Sequence, residues 1–268
     1  MEKSTIIGLV LAVIAVGVGM ILKGASLASL VNPAAILIIF VGTAASLFIG
    51  FTLEEIKKIP KLFKIVFTEQ KLRSKMDLIN WFADMISITR REGLLSLEAK
   101  LDEIQDPFLK GGLRLIIDGN DHEFVRDVLL EDVSAMEERH RTGALIFTQA
   151  GTYAPTLGVL GAVVGLIAAL SNLSEVEKLG HLISAAFVAT LLGIFSGYVL
   201  WHPIANKLKV KSKKEVELKL MMIEGLLSIQ AGVSAIAVRQ KLLVFVPNAE
   251  RGEEETAPGA QKEAAELG

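Results

Sequence analysis

Between Arg141 and Glu175 the chain carries no Asp, Glu, Lys or Arg. Three other stretches share that property: Ser4–Leu22, Gly24–Leu53 and Leu179–Asn206. Each supplies the roughly 20 apolar residues that a helix needs to cross a bilayer core. The second is expected to span from about Pro33 to Phe51. The first has too long an apolar run and too weak a basic start for a cleaved signal peptide, so it reads as a retained span. The charges, 28 Lys and Arg and 30 Asp and Glu, are gathered into the blocks between these runs. That segregation marks an integral membrane protein with sizeable aqueous parts.

No strand signal and no internal repeat is visible. The expected fold is therefore all-α: four transmembrane helices, a large helical cytoplasmic region between spans two and three, and a cytoplasmic C-terminal helix and tail. The expected segments are 1–53 (spans one and two), 54–141 (the helical region), 142–206 (spans three and four), 207–246 (a helix) and 247–268 (a disordered tail rich in Glu, Ala and Gly). Thr52–Arg141 carries fifteen Lys and Arg and Lys207–Gly268 ten, whereas the short connections 23–32 and 171–180 carry one Lys each. By the positive-inside rule both blocks, and so both termini, are expected in the cytoplasm.

Within the helical region, Leu78, Phe82, Met85, Ile86 and Thr89 recur at helical spacing and predict one buried stripe. Arg90-Arg91-Glu92-Gly93 reads as a helix end, with Ser96 as the cap of the next helix. Asp106-Pro107 predicts a further helix start, and Asp121 the cap of a long helix leading into span three. A second long helix is expected from Lys207 to about Arg239.

Several chemistries are excluded. A net charge of −2 offers no bulk attraction for nucleic acid, and with no cysteine there is neither thiolate nor disulfide. His122 and His140 lack metal-ligand spacing, and no phosphate-cradling loop or GxSxG elbow occurs. Nothing suggests an enzyme, a metal or a cofactor.

The spans carry the informative pattern. In span three Gly158, Gly161, Gly165 and Ala169 share one helix face, a surface made for another helix. In span four Ala186, Thr190, Gly193 and Gly197 form a matching face. No carboxylate lies inside any span, although an ion path ordinarily uses an ionisable group. An ion-carrying carboxylate must then come from a partner helix. On spacing alone, other readings remain. Thr190 can bond its own helix, Pro155 (toward the outer end of span three) and Pro203 (at the inner end of span four) can mark helix ends, and Arg90 and Glu98 can belong to a solvated face. His181 and His202 read as interfacial residues.

The motif Ala154-Pro155-Thr156-Leu157-Gly158 through Gly165, the run AAFVATLLGIFSGYVLWHP and the two-plus-two span layout resemble the A subunit of the flagellar motor stator, the MotA/PomA family. The resemblance covers nearly the whole chain. It implies a stator subunit that couples ion flow to torque, in a homo-oligomeric ring of five around paired helices of a MotB-like B subunit that supplies an ion-binding aspartate. It also implies coupling roles for Pro155 and Pro203, and contact of Arg90 and Glu98 with the rotor protein FliG. Pro155, Gly158, Gly161, Ala162, Gly165, Ala186, Ala189, Thr190 and Gly193 would face the ion path and partner, and the remaining neighbour is membrane lipid. Sodium-driven relatives tend to place hydroxyls where this chain has Ala162 and Ala189, which favours protons. The nearest rival, an ExbB/TolQ-like energiser of envelope transport, has three spans rather than four. A membrane scaffold without ion flux is the rival from another class.

Overall fold

The computed structural model describes residues 2–251. Helix α1 is Lys3–Leu22, and a 3-10 turn, Leu27–Leu30, follows it. The second span starts at Pro33, where Asn32 caps the chain by accepting the Ala35 N–H at 3.1 Å. It is built of α2 (Pro33–Ile36), a π-helical stretch (Leu37–Val41) and α3 (Gly42–Gly50). Short α4 (Leu53–Ile56) and α5 (Ile59–Phe67) follow, then α6 (Lys75–Glu92), a 3-10 segment (Leu94–Glu103) and α7 (Pro107–Ile117). The long α8 is His122–Leu170 and α9 is Val176–Phe195. A π stretch, Ser196–Trp201, joins α9 to α10 (His202–Gln230), and α11 (Ala235–Leu243) and α12 (Asn248–Arg251) follow. Among the described residues, four helical stretches are long and apolar enough to cross a membrane: Lys3–Leu22, Leu27–Gly50, His122–Leu170 and Val176–Gln230. Among the described residues there is no strand.

The chain divides into two compact units, residues 1–70 with 138–212 and residues 71–137 with 213–268. The first unit holds the apolar spans. Its N-terminus is pinned: the Glu2 amide donates to the Phe67 carbonyl at 3.0 Å, and the Glu2 carboxylate meets Lys207 at 2.9 Å and Lys211 at 3.1 Å. Lys211 also donates to the carbonyls of Ile65 and Thr68, so its nearly buried ammonium is fully occupied. The amphipathic α5 lays Val66, Leu62 and Phe63 on Phe147, Ile204 and Leu208, while Lys57, Lys58, Lys61 and Lys64 stay exposed.

The second unit is a water-soluble type of helical core. Leu78, Phe82, Met85 and Ile86 of α6 are buried as their spacing predicts, and Thr89 is half-buried. They pack with Leu97, Leu109, Leu113 and Met221, each side chain contributing roughly 1.5–3 kcal/mol by leaving water. Asp106 caps α7 by accepting the N–H groups of Phe108 and Leu109, and Asp121 caps α8 through Phe124.

Three local expectations are corrected. Ser96 is not an N-cap; it lies inside the 3-10 segment, with its hydroxyl donating to the Gly93 carbonyl at 2.6 Å. The helix from Lys207 does not reach Arg239. It stops at Gln230 because Gly232 takes φ +64, and Ser234 caps the new helix α11. The expected disordered tail begins with a helical turn at Asn248–Arg251, and residues 252–268 lie outside the described residues.

Candidate ion path and rotor-facing surface

The glycine face of α8 is occupied, and by this chain's own α9. A Cβ placed on Gly158 would stand 2.8 Å from the Gly193 Cα, and one on Gly193 would stand 2.7 Å from the Gly158 Cα. Gly161 faces Ala189 and Ile38, and Gly165 faces Ala186. Ala154, Ala186 and Ala189 are buried in the same contact, and Ala169 is buried as well. Backbone thus approaches backbone, the arrangement small residues permit where lipid provides no hydrophobic drive for helices to associate. Within the subunit, Gly158, Gly161, Gly165, Ala186, Ala189 and Gly193 therefore serve the contact between spans three and four.

The prolines also move. Pro155 is not toward the outer end of span three. A Cβ at Gly197, in the π stretch of span four, would fall 2.5 Å from the Pro155 ring and 2.8 Å from the Gly151 carbonyl. Gly151 is the residue whose carbonyl loses its helical donor when position 155 is proline. Gly197 therefore provides the notch in which the ring and the freed carbonyl sit. Pro203 is six residues further on, about 9 Å along a helix, so both prolines lie in one half of the span pair. The His202 ring packs over Gly151 and against Tyr198, with centroids 5.4 Å apart, and fills the space beside the notch.

Thr190 stands half-buried at the edge of the helix contact. Its hydroxyl donates to the Ala186 carbonyl at 3.4 Å, a long bond that holds the group only weakly. Ala162 is half-buried too. The surface of α8 opposite the glycines carries Thr152 and Thr156, both exposed, each donating to the carbonyl four residues back at 3.1 and 3.2 Å. On span four Phe187, Ile194 and Tyr198 are exposed. Sequence reasoning missed Thr152 and Thr156, although the spacing Thr148, Thr152, Thr156 is a visible hydroxyl line at i, i+4. At the far end of the spans, His181 and Ser184 line a cavity of about 450 Å³ with Asn32 and Gly161.

The chain matches the MotA/TolQ/ExbB proton channel family over residues 100–221 and the motility protein A N-terminal family over residues 6–93. It is 54% identical over 270 residues to motility protein A of Bacillus subtilis (strain 168), covering 98% of this chain and 100% of that protein. The chain belongs to the motility protein A family. Its fold is similar to the structure of the flagellar MotAB stator complex from B. subtilis, with TM-score 0.90, 56% identity and coverage of 94% and 99% of the two chains. The structure of C. jejuni MotAB is similar at TM-score 0.87 and 31% identity, with coverage of 92% and 97%. Family membership makes this a multi-pass inner-membrane protein and a stator subunit of the flagellar motor, in which ion conduction is coupled to torque. The four apolar helices and the N-terminal match also separate it from the three-span energisers.

The second unit carries the two charges expected to meet the rotor. Arg90 lies in the last turn of α6, Gly93 turns the chain at φ +85, and Glu98 follows in the 3-10 segment. Leu97, fully buried, anchors that segment and leaves Glu98 outward. Both charges are exposed, and among the described residues neither forms an ion pair at 4.0 Å or less.

Proposed function

We propose that this chain forms the ring, of five copies, around the paired transmembrane helices of a MotB-like B subunit, and that the pair conducts protons. The observation that carries the reading is the lack of any Asp or Glu in the four uncharged runs, beside the half-buried hydroxyl of Thr190 and the exposed hydroxyls of Thr152 and Thr156. Such hydroxyls can hydrogen-bond water or a carboxyl group but cannot themselves hold a charge. The partner's aspartate supplies the charge, and protonation relieves its desolvation penalty. The changed charge alters how the partner helix rests on Thr190 and Ala162, and the ring steps. Pro155 in its Gly197 notch, with Pro203 close along the chain, allows the spans to bend during the step, because neither proline contributes a helical N–H. Arg90 and Glu98 pass the motion to FliG through opposite charges.

Topology follows the same reading. Glu2 contacts Phe67, Lys207 and Lys211, so the N-terminus shares one membrane side with the segments after spans two and four. The positive-inside rule makes that side the cytoplasm.

The test is co-expression with a B-type partner whose channel is open. Cytoplasmic acidification under an imposed proton gradient, reduced in Thr190→Val, is expected. Absence of acidification would leave a scaffold as the better reading, and motility that stops when sodium is removed with the proton gradient intact would overturn the choice of ion.

A further inference from the structure

A cavity of about 400 Å³ opens between the start of α1, the end of α5 and the junction of span four with α10. Its lining is graded. Ser4 and Lys207 stand at one end, joined by a 3.1 Å hydrogen bond, and Gly8, Leu9, Leu200 and Pro203 form apolar walls. The gradient follows depth. Ser4 and Lys207 flank the boundaries of two uncharged runs, while Leu9 and Leu200 lie about 7 and 10 Å further into them at helical rise. Charge is also unbalanced at the mouth. Two ammonium groups, Lys207 and Lys211, share the single carboxylate of Glu2, which leaves one surplus positive charge. At Gly8 a Cβ would meet nothing within 4 Å, so this glycine keeps the cavity open rather than serving a helix contact.

From this arrangement we infer that the cavity binds one anionic phospholipid, with its phosphate at Lys207 and Ser4 and an acyl chain along Gly8, Leu9 and Leu200 against Pro203. A cation at headgroup level above an apolar slot fits that amphiphile, and it does not fit a transmembrane helix, which would bring no anion to Lys207. The chain would then press on one of the two prolines assigned to the bending of the spans, so lipid composition would bear on the motor's step. The site rests only on the membrane topology and is independent of which ion passes.

The test uses the full chain in complex with its B-type partner, in nanodiscs of phosphatidylcholine with a minor fraction of phosphatidylglycerol carrying a photoreactive acyl chain. Labelling at Leu9, Leu200 and Pro203 should exceed labelling at Ile14 and Val18, on the opposite side of α1, by about fivefold, the scale of one lysine–anionic headgroup contact. Gly8→Leu, which has room to fold normally, should bring that excess to the level of Ile14, and Lys207→Gln should do the same. Equal labelling at both sides, or an excess unchanged in Gly8→Leu, would mean annular lipid only and would overturn the site. Protection of Leu9 from label together with a disulfide between Gly8→Cys copies would place a second subunit there and overturn it as well. Acidification and motility, measured in parallel, decide the stator reading separately.

Discussion

Gly193→Ala tests the packing of spans three and four most directly. The added methyl carbon would lie 2.7 Å from the Gly158 Cα and 2.9 Å from the Ala154 carbonyl oxygen. Carbon atoms rest at about 3.5–4.0 Å, so the helices would have to separate by roughly 1 Å. Both obstacles are backbone, and no rotamer change can remove them. The separation would also loosen Gly161 on Ala189 and Gly165 on Ala186. Overpacking of this kind costs about 1–3 kcal/mol, more than the ~1 kcal/mol that alanine gains over glycine in helix propensity. Unfolding of the purified protein in mixed micelles, followed by tryptophan fluorescence, should show a loss in that range. Gly158→Ala should cost a similar amount. The double variant should cost less than their sum, because one separation accommodates both methyls. Gly8→Ala, with open space around it, is the control and should be neutral or slightly stabilising. Gly193→Ala at or above wild-type stability would refute the intramolecular assignment of the glycine face and return it to the partner.

Reversing both rotor-facing charges, Arg90→Glu with Glu98→Lys, should change stability by no more than about 0.5 kcal/mol, since both are exposed. Torque on tethered cells and stator recruitment should nevertheless fall sharply; unchanged torque would remove the rotor assignment. Hydrogen bonds from Lys207 and Lys211 hold the Glu2 carboxyl at about 2, below its ordinary 4.5. A depressed carboxyl stabilises above the unfolded value, so its contribution should be complete above about pH 4.5 and fade as pH falls toward 2. Thermal melts across that window should show the loss in the wild type, and Glu2→Gln should flatten this component while lowering the melting temperature at neutral pH. Asp106→Ala should cost about 1 kcal/mol by leaving the Phe108 and Leu109 N–H groups of α7 without their cap, measurable by denaturant unfolding.

Much of the architecture is legible along the chain because it is written in local chemistry. Charge-free runs locate the spans, and Asp106-Pro107 and Asp121 locate helix starts from residues only a few positions apart. The buried stripe of α6 needs only the 3.6-residue period. The errors have a common cause. The helix from Lys207 was expected to continue past Gly232 because periodicity outruns a single turn residue. Pro155 and Pro203 were expected at opposite ends because sequence separation hides that α8 and span four run antiparallel, bringing Pro155 to Gly197.

The glycine face divides the two kinds of information most sharply. Sequence alone determined that Gly158, Gly161 and Gly165 form a smooth stripe in a charge-free helix, because helical period and glycine's missing side chain are local properties. It also determined that any buried acid in the ion path is foreign, because none exists in the spans. Only the tertiary structure decided which helix the stripe receives. Close packing on Ala186, Ala189 and Gly193 sets it against the chain's own fourth span, because the fit of one backbone to another is a non-local property that no local pattern contains.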